Sequence, residues 1–165
     1  MYNTSAKHIA HYIPDGFVKV CDVEEYYSQW KYKNIDRAVM YDNHRSWIYF
    51  IVSNTEIVKI GETGNPLGIA MSDGQPKKGT ECRLGRIRSG DGTDSDIRWS
   101  LNEDIKKGVN VSIWAFKCPT FVTEHKIAGN IKKISTTIHK SLELHYLDYF
   151  KDQVGQIPSL NKGRK

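Results

Sequence analysis

The sequence predicts an α+β fold in which a small three-stranded antiparallel sheet is flanked by helices and preceded by an N-terminal extension. Two observations carry this. The β-branched and aromatic run Trp47-Ile-Tyr-Phe-Ile-Val52, the turn-like Ser53-Asn-Thr-Glu56 and the second run Ile57-Val-Lys-Ile60 before Gly61 read as a hairpin. Beyond it, apolar periodicity gives the order helix, helix, strand, helix. With 165 residues the chain suffices for one core and is too short for two full domains.

Residues 1–45 are rich in tyrosine and charge and read as an extension, with a helix over Asp22–Lys33 that Asp22 would cap. Residues 46–165 form the remaining domain. Between Gly61 and Gly92 glycines recur so often that only short helices fit, near Asn65–Met71 and Cys82–Arg88. A longer helix runs from about Thr93 to Lys107. Ile97, Leu101 and Ile105 recur every fourth residue, Asp94 and Asp96 sit in its first turn, and Lys106, Lys107 and Gly108 close it. Val109–Lys117 is the third strand and Pro119 ends it. The segment 119–134 is an insertion. In the last helix, Ser135–Phe150, Ile138, Leu142, Tyr146 and Tyr149 make one apolar stripe.

The longest apolar run, Trp47–Val52, is far short of the roughly 20 residues a membrane helix needs, and the first residues lack signal-peptide character. A cytoplasmic protein with no membrane partner is expected. Cys21, Cys82 and Cys118 lie far apart and read as packing residues. Subtracting 19 acidic from 24 basic residues leaves +5. The excess is concentrated: Lys77, Lys78, Arg83, Arg86 and Arg88 face Glu81 alone between Gly74 and Gly90, and Lys162, Arg164 and Lys165 follow at the end. Clustered cations gain affinity for polyanions through counterion release, so a nucleic acid is the expected partner.

Several chemistries fail at once. Gly61-Glu-Thr-Gly64 lacks the lysine and hydroxyl of a phosphate-cradling loop, and Asp91–Asp96 lacks the spacing of a calcium loop. His8 and His11 have no second ligand pair for zinc, and Cys118 has no base partner in sequence. Two positions stand out instead. Lys59 lies between Val58 and Ile60, where an ammonium costs desolvation unless it faces a polar site or snorkels to solvent. It shares a face with Tyr49 only if paired residue numbers sum to an even number, which a two-residue turn would not give. Glu143 borders the apolar stripe of the last helix and needs a cation, either an arginine or a water-rich divalent metal.

Together these residues resemble the GIY-YIG nuclease superfamily. The resemblance rests on Ile48-Tyr49, on Lys59-Ile60-Gly61 ten positions after the tyrosine, on Gly61-Glu-Thr-Gly-Asn-Pro66, on Cys82-Arg-Leu-Gly-Arg-Ile-Arg-Ser-Gly90, on Glu143 and on Asn161. It covers about residues 46–165. Trp47 stands where the first glycine is usual and Lys59 where the second tyrosine is usual, the latter a change also found in restriction enzymes of the superfamily. The resemblance implies Tyr49 or Lys59 as general base and Arg83 on the scissile phosphate, with Arg86 and Arg88 as alternatives for that role. It implies Glu143 holding one Mg2+ or Mn2+, and Asn161 supporting the site by hydrogen bonds. Lys77, Lys78, Arg86, Arg88, Lys162 and Arg164 would contact double-stranded DNA. A metal-dependent endonuclease of restriction or phage type follows, working as a homodimer at least on DNA. The alternatives are an inactive nucleic-acid-binding module on the same fold, or a partner-binding protein using residues 1–45.

Overall fold

In a computed structural model, which describes residues 13–26, 29–79, 81–90 and 94–161, seven strands and four helices follow one another along the chain. The strands are β1 (Val18–Tyr26), β2 (Gln29–Lys33), β3 (Trp47–Ser53), β4 (Glu56–Thr63), β5 (Val111–Lys117), β6 (Thr120–Ile127) and β7 (Asn130–Thr137). The helices are α1 (Arg37–Met40), α2 (Arg83–Ser89), α3 (Asp94–Lys106) and α4 (His139–Val154), with a 3-10 turn at Ser159–Asn161.

The main sheet is antiparallel and five-stranded, in the order β2-β1-β5-β3-β4, so the three-stranded expectation is corrected. The two added strands replace the helix expected over Asp22–Lys33. In β2, buried Trp30 and Tyr32 alternate with the less buried Lys31 and Lys33, a period of two that a helix cannot bury. β1 then pairs with β5, so residues from Val18 onward share one sheet with the hairpin.

Helices cover both faces. Leu84 and Ile87 of α2 and Ile97 and Leu101 of α3 pack with Trp47, Tyr49 and Ile51 on one side. Phe150, Leu142, Tyr146 and Leu147 of α4 pack with Ile48, Phe50 and Ile60 on the other. The alternation of β3 thus feeds two cores, which is why its whole length is apolar. Cys21, Cys82 and Cys118 are free and buried, as expected of packing residues.

Asn65–Met71 is not helical; an isolated bridge between Ala70 and Pro76 closes that loop. The segment read as an insertion is a second sheet, β6 paired with β7, whose sixteen residues are all exposed. Its turn is Ala128-Gly129, with φ of 49° and 82°. Positive φ at both central residues is what a tight hairpin requires. No helix among the described residues is long and apolar enough to cross a membrane.

Both outer strands of the main sheet are closed by a carboxamide. On β2, the Tyr32 amide donates to Gln75 Oε1 at 2.8 Å and Gln75 Nε2 donates to the Tyr32 carbonyl at 2.6 Å. On β4, the Ile60 amide donates to Asn161 Oδ1 at 2.9 Å and Asn161 Nδ2 donates to the Ile60 carbonyl at 2.8 Å. Each amide takes the place of one residue of a further strand, blunting the edge.

Candidate active site

The hairpin positions the first two site residues through a compromise in register. Its turn, Asn54-Thr55, is the two-residue type that would leave Tyr49 and Lys59 on opposite faces. A bulge intervenes: Val52 pairs with Ile57 but Ile51 pairs with Lys59, leaving Val58 as the extra residue. From there Tyr49 pairs with Gly61, and the numbers sum to 110. Tyr49 and Lys59 therefore share the face covered by α2 and α3.

The Tyr49 ring is buried and lies across Gly61. A Cβ on Gly61 would collide with the ring Cζ and Oη, so only glycine admits the tyrosine there. Trp47, in place of a glycine, is also buried, and its indole Nε1 donates to the His44 carbonyl at 2.8 Å.

Arg83, the first residue of α2, meets Tyr49 from above. Its Nε donates to the Tyr49 hydroxyl at 2.8 Å and its Nη2 donates to the same oxygen. Its other edge grips Asp94, the first residue of α3, with Nη1 on Oδ2 at 3.0 Å and Nη2 on Oδ1 at 2.8 Å. Arg86, one turn along α2, adds Nε on Asp94 Oδ2 at 3.2 Å.

Burial pushes the Tyr49 phenol above its ordinary pKa, the Arg83 guanidinium pulls it back, and the carboxylates of Asp94 and Glu143 push it up again. The net direction is upward, opposite to the lowering that a tyrosine base requires. Two N–H groups of Arg83 also occupy the acceptor positions of the Tyr49 oxygen. The Tyr49 hydroxyl thus keeps its own O–H to donate.

Lys59 is 8% exposed, and its Nζ donates to the Leu160 carbonyl at 3.1 Å. The turn that carries Asn161 onto β4 therefore also holds the lysine. Glu143 sits on α4, whose apolar residues pack on the sheet face opposite α2, and is 5% exposed. One turn earlier on α4, His139 Nε2 lies 3.4 Å from Glu62 Oε2, and its Nδ1 lies 3.0 Å from Ser46 Oγ.

The structure thus brings Tyr49 and Arg83 into contact and ties Lys59 and Asn161 to one turn, while Glu143, on α4, is linked to this group by its upward push on the Tyr49 phenol. Of the basic residues, Lys77 is exposed and paired with Glu81 at 2.6 Å, and Lys78 is exposed. Arg88 donates to the carbonyls of Trp30 at 3.1 Å and Pro76 at 3.2 Å, which ties α2 to the β2 edge. Lys162 and Arg164, like His8 and His11, lie outside the described residues. Sequence reasoning missed Asp94 as a partner of Arg83; its only signal was an acid in a helix's first turn, which the helix dipole already accounts for. It also missed His139, one turn before Glu143.

No group of three or more histidine, cysteine, aspartate or glutamate side chains among the described residues is arranged to cage a metal. A single buried carboxylate fits Mg2+, which keeps several waters and commonly binds through one or two carboxylates and substrate phosphates.

No protein-family model matches the sequence, and no curated protein matches it. Among solved structures, restriction endonuclease Hpy188I in complex with product DNA aligns over 96% of this chain and 91% of its own, at 18% identity and a TM-score of 0.47. A mutant of bacteriophage T4 EndoII aligns over 91% of this chain and 96% of its own, at 16% identity and a TM-score of 0.59. That second likeness, nearly end to end on both sides, shows that this chain has the fold of bacteriophage T4 EndoII.

Proposed function

We propose that the chain is a divalent-metal-dependent DNA endonuclease of the GIY-YIG type, hydrolysing phosphodiester bonds as a site-specific restriction or phage enzyme. The observation that carries this reading is the bulge at Val58, which puts Lys59 on the Tyr49 face while Arg83 donates to the Tyr49 hydroxyl. The shared fold with EndoII supports it. So does the local excess of cations around α2.

In this reading water attacks the phosphorus, the bond to the 3′ oxygen breaks, and the developing negative charge must be met by fixed cations. Arg83, preset against Tyr49, faces that charge. The Tyr49 O–H orients the water, and Lys59, on the same face of the hairpin, takes the water's proton in its neutral amine form. Glu143 would hold one Mg2+ or Mn2+, whose chemistry is charge neutralisation at the scissile phosphate and its leaving oxygen. Asn161 keeps β4, and with it Lys59 and Gly61, in place. Because each chain offers one site, cutting both strands calls for two copies on the DNA.

Incubating supercoiled plasmid with the protein and Mg2+ is expected to give linear product, and EDTA is expected to stop it. DNA retarded in a gel but never cut would favour the inactive binding module.

Lys59→Met tests the shared face. The aliphatic stem stays and the ammonium goes, so cleavage is expected to fall by at least about 100-fold, the scale of a proton-transfer group. The lost hydrogen bond to Leu160 is expected to cost only about 1 kcal/mol of stability. Near-wild-type cutting with an unchanged melting temperature would mean that Lys59 merely snorkels.

A further inference from the structure

Asp94 is assigned no role by the reading above, yet its carboxylate is among the best-organised groups in the molecule. Its side chain is 2% exposed, and two guanidinium groups converge on it. An arginine carries five N–H donors. Four hydrogen bonds from Arg83 are accounted for, two to Tyr49 Oη and two to Asp94. The guanidinium plane is therefore fixed along two edges. Without the Asp94 edge, a long side chain held only by a phenol oxygen would recover much of its rotamer freedom.

We propose that Asp94 is the positioning residue of the site: it sets the Arg83 guanidinium against Tyr49 and gathers Arg86 beside it, making two arginines one phosphate-facing unit. The proposal rests on the nuclease reading. Asp94 touches no substrate and acts through Arg83. Its charge carries an opposite cost, because one carboxylate beside two guanidinium groups leaves a net +1 where the arginines alone would present +2. Asp94 thus weakens the ground-state attraction for phosphate while sharpening the geometry in which phosphate is met. Effects of that kind separate turnover from binding.

The experiment compares wild type, Asp94→Asn, Arg83→Ala and the double variant on supercoiled plasmid with Mg2+, with melting temperatures to verify folding. Asparagine keeps the shape, and kcat is expected to fall about 10- to 100-fold, the scale of a misplaced catalytic group, with KM unchanged or lower. In the Arg83→Ala background the same substitution is expected to add less than about twofold, because only the single contact with half-exposed Arg86 is left for it to act through. An Asp94→Asn enzyme within twofold of wild type, or an equal loss in both backgrounds, would overturn the proposal.

A second measurement does not depend on cleavage. In 15N-arginine NMR the Arg83 Nε–H, assigned by its loss in Arg83→Ala, is expected to be slow to exchange in wild type and fast in Asp94→Asn. Unchanged exchange would overturn the proposal. Should wild type leave DNA uncut, the nuclease reading falls, and the Arg83 signal still decides whether Asp94 holds the guanidinium.

Discussion

Replacing Glu143 with glutamine is expected to abolish cleavage, by about 10^3-fold or more, while duplex DNA still binds. The substitution keeps the shape of a side chain that α4 buries against the sheet, so the fold should persist. What disappears is one negative charge. That charge pushes the Tyr49 phenol upward, so its removal moves the phenol's pKa downward and, if anything, eases proton loss there. In the proposed reading the loss of rate comes from the task of holding a divalent cation. A metal's stabilisation of transition-state charge is worth several kcal/mol, and each 1.36 kcal/mol is tenfold in rate. Plasmid cleavage beside a gel-shift assay on the same DNA checks this. Wild-type cutting by the glutamine variant would remove Glu143 from the site.

Arg83→Ala is expected to cost at least about 10^3-fold in rate, the scale of other arginines that meet phosphoryl charge. Unlike the Glu143 change, it should also cost stability. The buried Tyr49 hydroxyl loses two donors, and among the described residues Asp94 keeps the contact with Arg86. Breaking a buried ion pair by removing one partner typically costs about 3–5 kcal/mol, so a clear drop in melting temperature is expected. Lysine should not rescue either loss, because a point charge cannot hold Tyr49 and Asp94 along two edges at once. The comparison that matters is with Arg86→Ala and Arg88→Ala. Arg86 is half exposed with one bond to Asp94, and Arg88 spends its donors on backbone carbonyls. If either variant lost more activity than Arg83→Ala, the assignment of Arg83 would fail.

The parts of this fold legible in the sequence are those whose pattern is local. β3, β4, α2, α3, β5 and α4 all fall within a few residues of their expected positions, because each is marked by its own periodicity and its own stop. β1 and β2 were hidden because what stabilises them is remote. β1 pairs with β5 about ninety residues away, and the acids and lysines of the 22–33 segment imitate a capped helix. The β6–β7 arm was hidden for the opposite reason: all sixteen of its residues are exposed among the described residues, so no face of it is consistently apolar. Of the proposed site, Tyr49, Arg83, Glu143 and Asn161 stood out through their order and spacing. The placement of Lys59 was visible only as a condition, since turn length alone predicts the wrong face and the bulge at Val58 reverses it. The pairing of Arg83 with Asp94 joins two helices across a glycine-rich connection, and no periodicity reports such a contact.

The carboxamides that close the two sheet edges differ in when a ribosome delivers them. Gln75 follows Tyr32 by 43 residues, whereas Asn161 follows Ile60 by 101. At roughly 5–20 residues per second the second interval is about 5–20 s, during which a nascent β4 has emerged with no Asn161 to cover its outer side. An open strand edge invites pairing with other chains, so this strand is exposed to misassembly during synthesis. The same delay falls on Lys59, which waits for the carbonyl of Leu160. Translation thus completes the lysine's half of the candidate site well after the tyrosine and arginine are in hand.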